Sequence, residues 1–279
     1  MLIGGFCVPL ISITEQDIRA LITLARSEKC DVLKNFKAIA EGLQKPIFIK
    51  NTYSKSGSAV QEATKDLMGI QEATKDLMGI MLEKEAGRAQ ALLLIENDIK
   101  SADQGLRDRA LVWSKALASQ GEPRLYKIIE KYLFHDDDSI AFSIVISICM
   151  LIKNKCIDVD LFAGIKDSLL VPKRAQRINA LLVWLSLIEQ DQYIEESINQ
   201  ATILCASNQF PAHFAGIQLF RSLVMRGHGG KEALSSFNTI VNYDLNDRMK
   251  SIIDKVVDRL NSNPDYQSAV KEFKVIHKM

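Results

Sequence analysis

The fold of this chain is decided by residues 122–153, which read EPRLYKIIEKYLFHDDDSIAFSIVISICMLIK. Pro123 opens a segment with apolar residues at helical spacing, and the acidic run of residues 136–138 interrupts it. An almost entirely apolar segment, 140–153, follows. Apolar periodicity on both sides of a short polar turn predicts two helices joined by a tight connection.

Similar helix pairs recur about every 35 residues from near residue 89 to the C-terminus, a period typical of α-solenoids. First helices are predicted near 88–100, 123–134, 159–170, 192–205, 231–241 and 264–277, and second helices near 106–119, 140–153, 174–188, 212–225 and 247–260. One such pair cannot bury its own apolar stripe, so neighbouring pairs stack and leave an extended concave surface. The sequence therefore predicts an all-α solenoid whose last helix caps the stack.

Three segments are expected along the chain. Residues 1–57 are predicted to be an irregular helical segment with helices at 14–27 and 31–43, ended by Pro46 and a polar loop at 50–58. Residues 58–100 are predicted to be an extended helical region, and residues 101–279 carry the repeats. We expect the three segments to form one continuous body.

A tandem duplication marks the middle segment, because QEATKDLMGI at 61–70 returns unchanged at 71–80. Perfect identity points to a recent slippage duplication or a deliberate insertion. Ten residues turn a helix by about 1000°, so the two copies present different faces. A stripe at helical spacing nevertheless runs through both copies, and either one long helix or one looped-out copy fits the sequence. The stripe consists of Val60, Ala63, Leu67, Ile70, Thr74, Leu77 and Met81.

Composition narrows the class of protein and of partner. The net charge of +1 argues against nucleic acid, because nucleic-acid binders usually carry a basic patch and a high pI. An odd number of cysteines without CxxC spacing predicts reduced thiols that pack as small apolar groups in a reducing, cytoplasmic compartment. The apolar stretch 1–13 is too short to span a bilayer, and no other stretch is long enough. The cysteines are Cys7, Cys30, Cys149, Cys156 and Cys205.

Two polar clusters could carry chemistry, and each has a structural explanation that we favour. Residues 135–138 (HDDD) could hold a hard cation, but they lack the spacing of a calcium loop and suit the cap of the next helix. Residues 226–230 (RGHGG) could hold a phosphate, but they suit a helix end closed by left-handed glycines. Without a nucleophile-elbow or HExxH motif, the sequence nominates no catalytic group, metal or cofactor.

Residues 103–110, DQGLRDRA, place an Asp-containing turn before a helix that begins with an apolar residue and Arg and continues with Ala and Leu. This junction resembles those of HEAT and armadillo-type repeat proteins. DLNDR at 244–248 matches it partly, whereas the junctions after Asp138 and Pro172 depart from it. The resemblance spans about two-thirds of the chain and excludes residues 1–57. The resemblance implies a right-handed superhelix of antiparallel helix pairs. Proteins of this family serve in transport, scaffolding, phosphatase regulation and DNA repair.

Second helices of HEAT pairs usually line the concave groove, and this implies where a partner would bind. Trp113 and Trp184 lie in second helices and are either core residues or anchors for a partner. Basic residues near the starts of second helices could form a ridge for an acidic peptide or a phosphate backbone, or could pair with acids such as Asp103 and Asp108. They are Arg107, Arg109, Lys173, Arg174, Arg177, Arg248 and Lys250.

The predicted function is that of a non-catalytic scaffold or adaptor that binds a protein or peptide segment on the concave face. The predicted contacts are Arg109, Trp113, Arg177, Trp184, Gln218 and Arg221. The alternative is a HEAT-like DNA-binding protein or DNA glycosylase that cradles a duplex, against which the near-neutral charge counts.

Overall fold

The computed structural model describes residues 15–26, 72–157, 165, 169, 173–207, 209–241, 243 and 245–277. Within these ranges every regular element is a helix, so the all-α prediction is confirmed there. The N-terminal apolar stretch, the helix predicted at 31–43, the loop at 50–58 and the first decapeptide copy lie outside the described residues. So does most of the helix predicted at 159–170, of which Ile165 and Leu169 are described and buried.

Twelve α-helices are described, and we number them in chain order. They are α1 (Glu15–Arg26), α2 (72–83), α3 (Glu85–Asp98), α4 (Gln104–Ser119), α5 (Arg124–Ile129), α6 (Asp138–Lys153), α7 (Arg174–Glu189), α8 (Ile194–Ala206), α9 (Phe210–Met225), α10 (Gly230–Ile240), α11 (Asp247–Asn261) and α12 (Gln267–His277). Short 3-10 turns follow α5 at Glu130–Tyr132 and precede α12 at Pro264–Tyr266. None of the described helices is both long and apolar enough to cross a membrane.

From α3 onward the predicted helices agree with the described ones to within about three residues, with one exception. The helix predicted at 123–134 ends as an α-helix at Ile129 and tightens into the 3-10 turn.

Contacts divide the chain into two compact units, residues 1–120 and residues 121–279. In the N-terminal unit α3 packs against α4, and Lys84 Nζ donates a hydrogen bond to the carbonyl oxygen of Ala25 at the end of α1. The C-terminal unit contains α5 to α12. The segment boundaries predicted at residues 57 and 100 stay predictions.

Helix α2 contains residues 72–80 of the second decapeptide copy and buries one stripe. Thr74, Leu77 and Met81, three members of the predicted stripe, are fully buried. The chain then turns at Lys84, whose backbone is extended, and α3 begins at Glu85. A Cβ atom at Gly87 would lie 1.9 Å from the carbonyl oxygen of Met81, so the turn between α2 and α3 requires glycine there.

Four of the five second helices, α4, α6, α7 and α9, end at a left-handed residue, whereas α11 is followed by Ser262 with a negative φ. Helices α6, α7 and α9 are each 16 residues long and are closed by a residue with positive φ: Lys155, Asp191 and Gly227. In each case the residue after the left-handed one donates its backbone N–H to the carbonyl oxygen four residues before the left-handed one, as in a Schellman motif. The bonds run from Cys156 to Leu151, from Gln192 to Leu187 and from His228 to Leu223, and their N–O distances are 2.9–3.0 Å. Gly121 has a positive φ at the corresponding place after α4. These four residues are about 35 positions apart, which is the predicted period.

Burial repeats with the same period. In α4, α6, α7 and α9, the residues three, four, seven, eight and eleven positions before the left-handed residue are all buried. In α7 these are Ile188, Leu187, Trp184, Val183 and Ala180. Each of these four helices therefore turns the same stripe into the core, although the side chains differ.

Helix contacts in the C-terminal unit follow two rows. The second helices contact one another in the order α6, α7, α9 and α11, and the first helices in the order α8, α10 and α12. Pairs of adjacent helices, above all α8 with α9, join the rows. These contacts are consistent with a helical repeat.

Helices α8 and α9 pack closely at Gly216. A Cβ atom there would lie 2.6 Å from Cys205 Sγ and 3.0 Å from the carbonyl oxygen of Ala201. Only a residue without a side chain allows the two helices to approach this far.

We expect Gly216→Ala to lower the free energy of unfolding by about 1–3 kcal/mol, because the added methyl group has no space. The matched control is Gly79→Ala in α2, where a Cβ would meet nothing within 4 Å. There the greater helix propensity of Ala should raise the free energy of unfolding by about 0.5–1 kcal/mol. Urea denaturation of the full chain measures both, and equal effects from the two variants would contradict this account of the α8–α9 contact.

Candidate functional site

The two tryptophans predicted to contact a partner are core residues. Trp113 and Trp184 are each 1% exposed. They lie eight and seven positions before the left-handed residue, within the buried stripe that α4, α6, α7 and α9 share. Their assignment as partner contacts is therefore wrong, and the core alternative is correct. Because both tryptophans are buried, neither can stack on a base, and the nucleic-acid alternative no longer has these aromatic side chains in its favour.

Arg109 is also part of the fold. Its Nε and Nη2 atoms donate to Asp98 Oδ2 at 2.9 and 2.6 Å, and both side chains are mostly buried, at 14% and 11% exposure. Arg177 is half-buried. Of the six predicted contacts, Trp113 and Trp184 are thus buried and Arg109 is mostly buried, whereas Arg177 and Gln218 are half-buried and Arg221 is exposed.

Several side chains of the predicted basic ridge make contacts within the chain itself. Arg107 Nη1 donates to the carbonyl oxygens of Ser101 and Ala102 at 2.8 Å, and Lys173 pairs with Asp136 at 3.3 Å. Arg248 lies over the ring of Phe214, 5.4 Å from its centroid. Pairing within the fold is thus confirmed for Arg109 and Lys173, although with acids other than Asp103 and Asp108.

The polar cluster before α6 is a helix cap. Asp137 Oδ1 accepts hydrogen bonds from the backbone N–H groups of Ser139 and Ile140 at 2.9 and 3.4 Å. A hydrogen bond from the Ser139 hydroxyl lowers the pKa of Asp137. The described residues contain no group of three or more His, Cys, Asp or Glu side chains placed to hold a metal ion. Gly227 and Gly229 both have positive φ, so the glycine closure predicted for residues 226–230 is confirmed.

An apolar groove runs between α6 and α7 on the side opposite their buried stripes. Its volume is about 510 Å³. It is lined by Phe142, Val145, Ile146, Cys149, Met150 and Lys153 from α6, and by Leu182, Leu185, Ser186, Glu189 and Gln190 from α7. Phe142 is 49% exposed, which is a large apolar area to leave in water. Exposed apolar surface of this kind is typical of an interaction site.

The groove is made by a second set of equivalent positions. We define an outer row on each of these helices as the residues that lie thirteen, nine, six, five and two positions before the left-handed residue. None of the outer-row residues is buried in α6, α7 or α9. All but one of the outer-row residues of α6 and α7 line the groove. In α9 the outer row consists of Phe214, Gln218, Arg221, Ser222 and Met225. The predicted contacts Gln218 and Arg221 thus lie at positions equivalent to groove-lining residues.

The groove floor is a low-dielectric environment. Burial raises the pKa of the Cys149 thiol to about 11, with a weaker opposing effect from Ser186 and a supporting one from Glu189. The Ser186 hydroxyl donates to the carbonyl oxygen of Cys149 at 3.5 Å, which joins the two helices under the groove. Charged groups, Lys153 and Glu189, line only one end, where both helices finish.

The groove was not predicted, although one signal pointed to it. Helix α6 is apolar on nearly every face. Only one stripe of it, however, can pack against the core of its own repeat. A helix that is hydrophobic all round needs contacts on more than one side. Phe142, Ile146 and Met150 are the large apolar residues left over once the buried stripe is assigned.

No protein-family model matches this chain, and no curated protein is significantly similar to it in sequence.

We expect Arg109→Ala and Asp98→Ala each to cost about 2 kcal/mol of unfolding free energy, because each leaves a mostly buried charge without its partner. The double variant should cost clearly less than the sum. Lys274→Ala serves as the control, since Lys274 pairs with Asp258 at an exposed site and should cost under about 0.5 kcal/mol. Additive costs in the cycle would show that Arg109 is not held by Asp98.

We expect Cys149 to react slowly with iodoacetamide in the folded chain. At pH 8 a thiol with a pKa of about 11 is deprotonated roughly a hundredfold less than an ordinary cysteine. Peptide mapping by mass spectrometry should show alkylation accelerating by at least that factor in urea, and the folded rate rising up to about pH 11. Equal folded and unfolded rates at pH 8 would contradict the apolar floor.

Proposed function

We propose that this chain is a non-catalytic scaffold or adaptor that binds a protein segment on the outer row of its second helices. The observation that carries the proposal is the α6–α7 groove, where the repeat leaves apolar side chains in water instead of the polar groups usual on an exposed helix face. Contact with a partner would remove that surface from water, at a gain of about 25 cal/mol per Å².

A HEAT-like architecture supports this proposal. The two rows of helix contacts, the common helix end and the period of about 35 residues are what a stack of helix pairs requires. We infer that the pairs wind into a right-handed solenoid and that the outer row lies on its concave side. A stack of this kind offers an extended surface for a long segment of a partner. The free thiols Cys149, Cys156 and Cys205 are consistent with a reducing, intracellular compartment.

The amino acids of the groove favour a protein partner over a nucleic acid. Phosphate backbones are bound by Lys, Arg and backbone N–H groups, whereas the groove centre is formed by Ile146, Met150, Leu182 and Leu185. With Trp113 and Trp184 buried, we propose no second function.

Site-specific photo-crosslinking tests the proposal. A photoreactive amino acid at Phe142 or Met150 should form adducts with another polypeptide when the full chain is expressed in the cells it comes from. The same group at Ile203, which is 48% exposed on first helix α8, is the control and should form none. Equal adducts at all three positions, or adducts with nucleic acid at the groove alone, would overturn the proposal.

A further inference from the structure

We propose that the α6–α7 groove is a contact surface between two copies of this chain, which pair face to face about a two-fold axis. This inference rests on the proposed function, because it names the partner of the same surface. Two features of the molecule carry it: the signs of the charges at the ends of the two helices, and the apolar surface between them.

Charged residues of opposite sign lie at the ends of the two groove helices. Asp138 begins α6 and Lys153 ends it, whereas Arg174 begins α7 and Glu189 ends it. We call these four residues the corner charges. All four are exposed, and none is in an ion pair within the part of the chain that the structure describes. Two of them belong to the outer row, and the other two lie one helical turn before its first member.

Helices α6 and α7 run side by side in the same direction. Near their starts, Lys173 Nζ donates a hydrogen bond to Asp136 Oδ1 at 3.3 Å. Near their ends, the Ser186 hydroxyl donates to the carbonyl oxygen of Cys149 at 3.5 Å. At the starting end the corner charge is therefore negative on α6 and positive on α7, and at the other end the signs are exchanged.

This alternation of sign makes the face complementary to itself. In a two-fold pairing of two faces the axis lies in the plane of contact, and each contact occurs twice. Because packed helices usually cross at about 20° or 50°, the axis runs closer to one of two directions, along the helices or across them. An axis along the helices places α6 on α7 of the second copy, so that Lys153 meets Glu189. An axis across them places each helix on its own copy in the opposite direction, so that Lys153 meets Asp138.

In both arrangements the remaining two corner charges also meet as an opposite pair, and no like charges meet. A partner segment that is uniformly acidic or uniformly basic would instead approach two corner charges of its own sign. Like charges brought together at an interface reject a partner. The corner charges therefore favour a second copy over a partner with one sign of charge.

The charged ends of α7 are not explained by the stability of that helix. A helix carries a partial positive charge at its N-terminus and a partial negative charge at its C-terminus. Asp138 and Lys153 complement those partial charges on α6. Arg174 and Glu189 oppose them on α7. Pairing with a second copy would give both of these residues a partner of opposite sign.

The charges beside the corners leave the pattern of signs unchanged. On α6, the exposed Asp137 and Lys155 lie next to corners of their own sign. On α7, Lys173 and Asp191 do so as well, although each is already paired within the chain. Arg226, the partner of Asp191, lies within electrostatic reach of the acidic α7 corner and lessens its charge. With these neighbours included, each corner keeps its sign.

The apolar surface between the corners would supply the attraction. Phe142 and Ile178, which are 49% and 43% exposed, lie at equivalent positions on α6 and α7, and pairing would remove both from water in each copy. Two helices of 16 residues form a face about 24 Å long and about 20 Å wide, or roughly 480 Å². A standard interface buries about 800 Å² per partner. We therefore expect a dimer that dissociates reversibly on dilution.

Sedimentation equilibrium of the purified full chain over a concentration series tests this inference. We expect monomer and dimer in exchange. Phe142→Glu should raise the dissociation constant of the dimer at least about tenfold, because a charge enters the apolar contact from both copies. Ile203→Glu, which changes an equally exposed residue of α8, is the matched control and should leave the constant unchanged.

Charge reversal tests the corner charges themselves. Lys153→Glu and Glu189→Lys should each raise the dissociation constant several-fold, because each places like charges together twice, and raised salt should diminish that effect. The double variant identifies the axis. With the axis along the helices it restores an opposite pair and returns the constant toward that of the unaltered chain. With the axis across them it leaves like charges at every corner and raises the constant above that of either single variant.

A chain that stays monomeric at the highest concentration measured, or a dimer whose constant none of the groove variants changes, would overturn this inference. Photo-crosslinking at Phe142 separates that result from the fate of the proposed function. Adducts of a monomeric chain with a different polypeptide leave the proposed function standing, whereas equal adducts at Phe142 and Ile203 overturn it as well. Circular dichroism of each variant confirms that it is folded, and Met150→Glu replaces Phe142→Glu if the latter is not.

Discussion

Burial of one stripe on each second helix is the constraint on which the rest of the structure depends. The buried positions are the same in α4, α6, α7 and α9, and they determine how each helix is rotated about its axis. Once the stripe faces the core, the outer row faces away from it. The groove is therefore a consequence of core packing combined with an unusual amino-acid choice: α6 and α7 carry apolar residues at outer positions where α9 carries Gln218 and Arg221.

The left-handed helix ends maintain this arrangement from one repeat to the next. Asp191 has a positive φ without being glycine, and its side chain pairs with Arg226 at the end of the next second helix. The Arg226 Nε donates to Asp191 Oδ1 at 2.8 Å, and hydrogen bonding from Arg226 lowers the pKa of Asp191. Helices α7 and α9 are thus joined where both of them end.

The sequence predicted the helices well and their rotation poorly, and both results have the same physical cause. Apolar spacing and capping residues such as Asp137 and Pro123 define where a helix begins and ends to within a turn. An error of one residue, however, rotates the assigned face by about 100°, which is enough to exchange core and solvent. Position in a second helix leaves Trp113 and Trp184 as either core residues or partner contacts, and only the rotation of the helix places them in the stripe. The burial of Arg109 depended on Asp98 in the preceding helix, a contact between helices that periodicity cannot identify.

The outer row combines apolar and charged surface, and under the proposed function the two would have different tasks. Apolar contact in the α6–α7 groove is non-directional and would supply most of the affinity for any amphipathic helix of the right length. Charges contribute less to affinity than to orientation and to the rejection of wrong partners. Lys153 and Arg221 lie beyond the apolar centre, where water remains and a misplaced charge is only partly screened. Under the proposed function, selectivity would arise at the margins, and single outer-row residues could change it without disturbing the buried stripe.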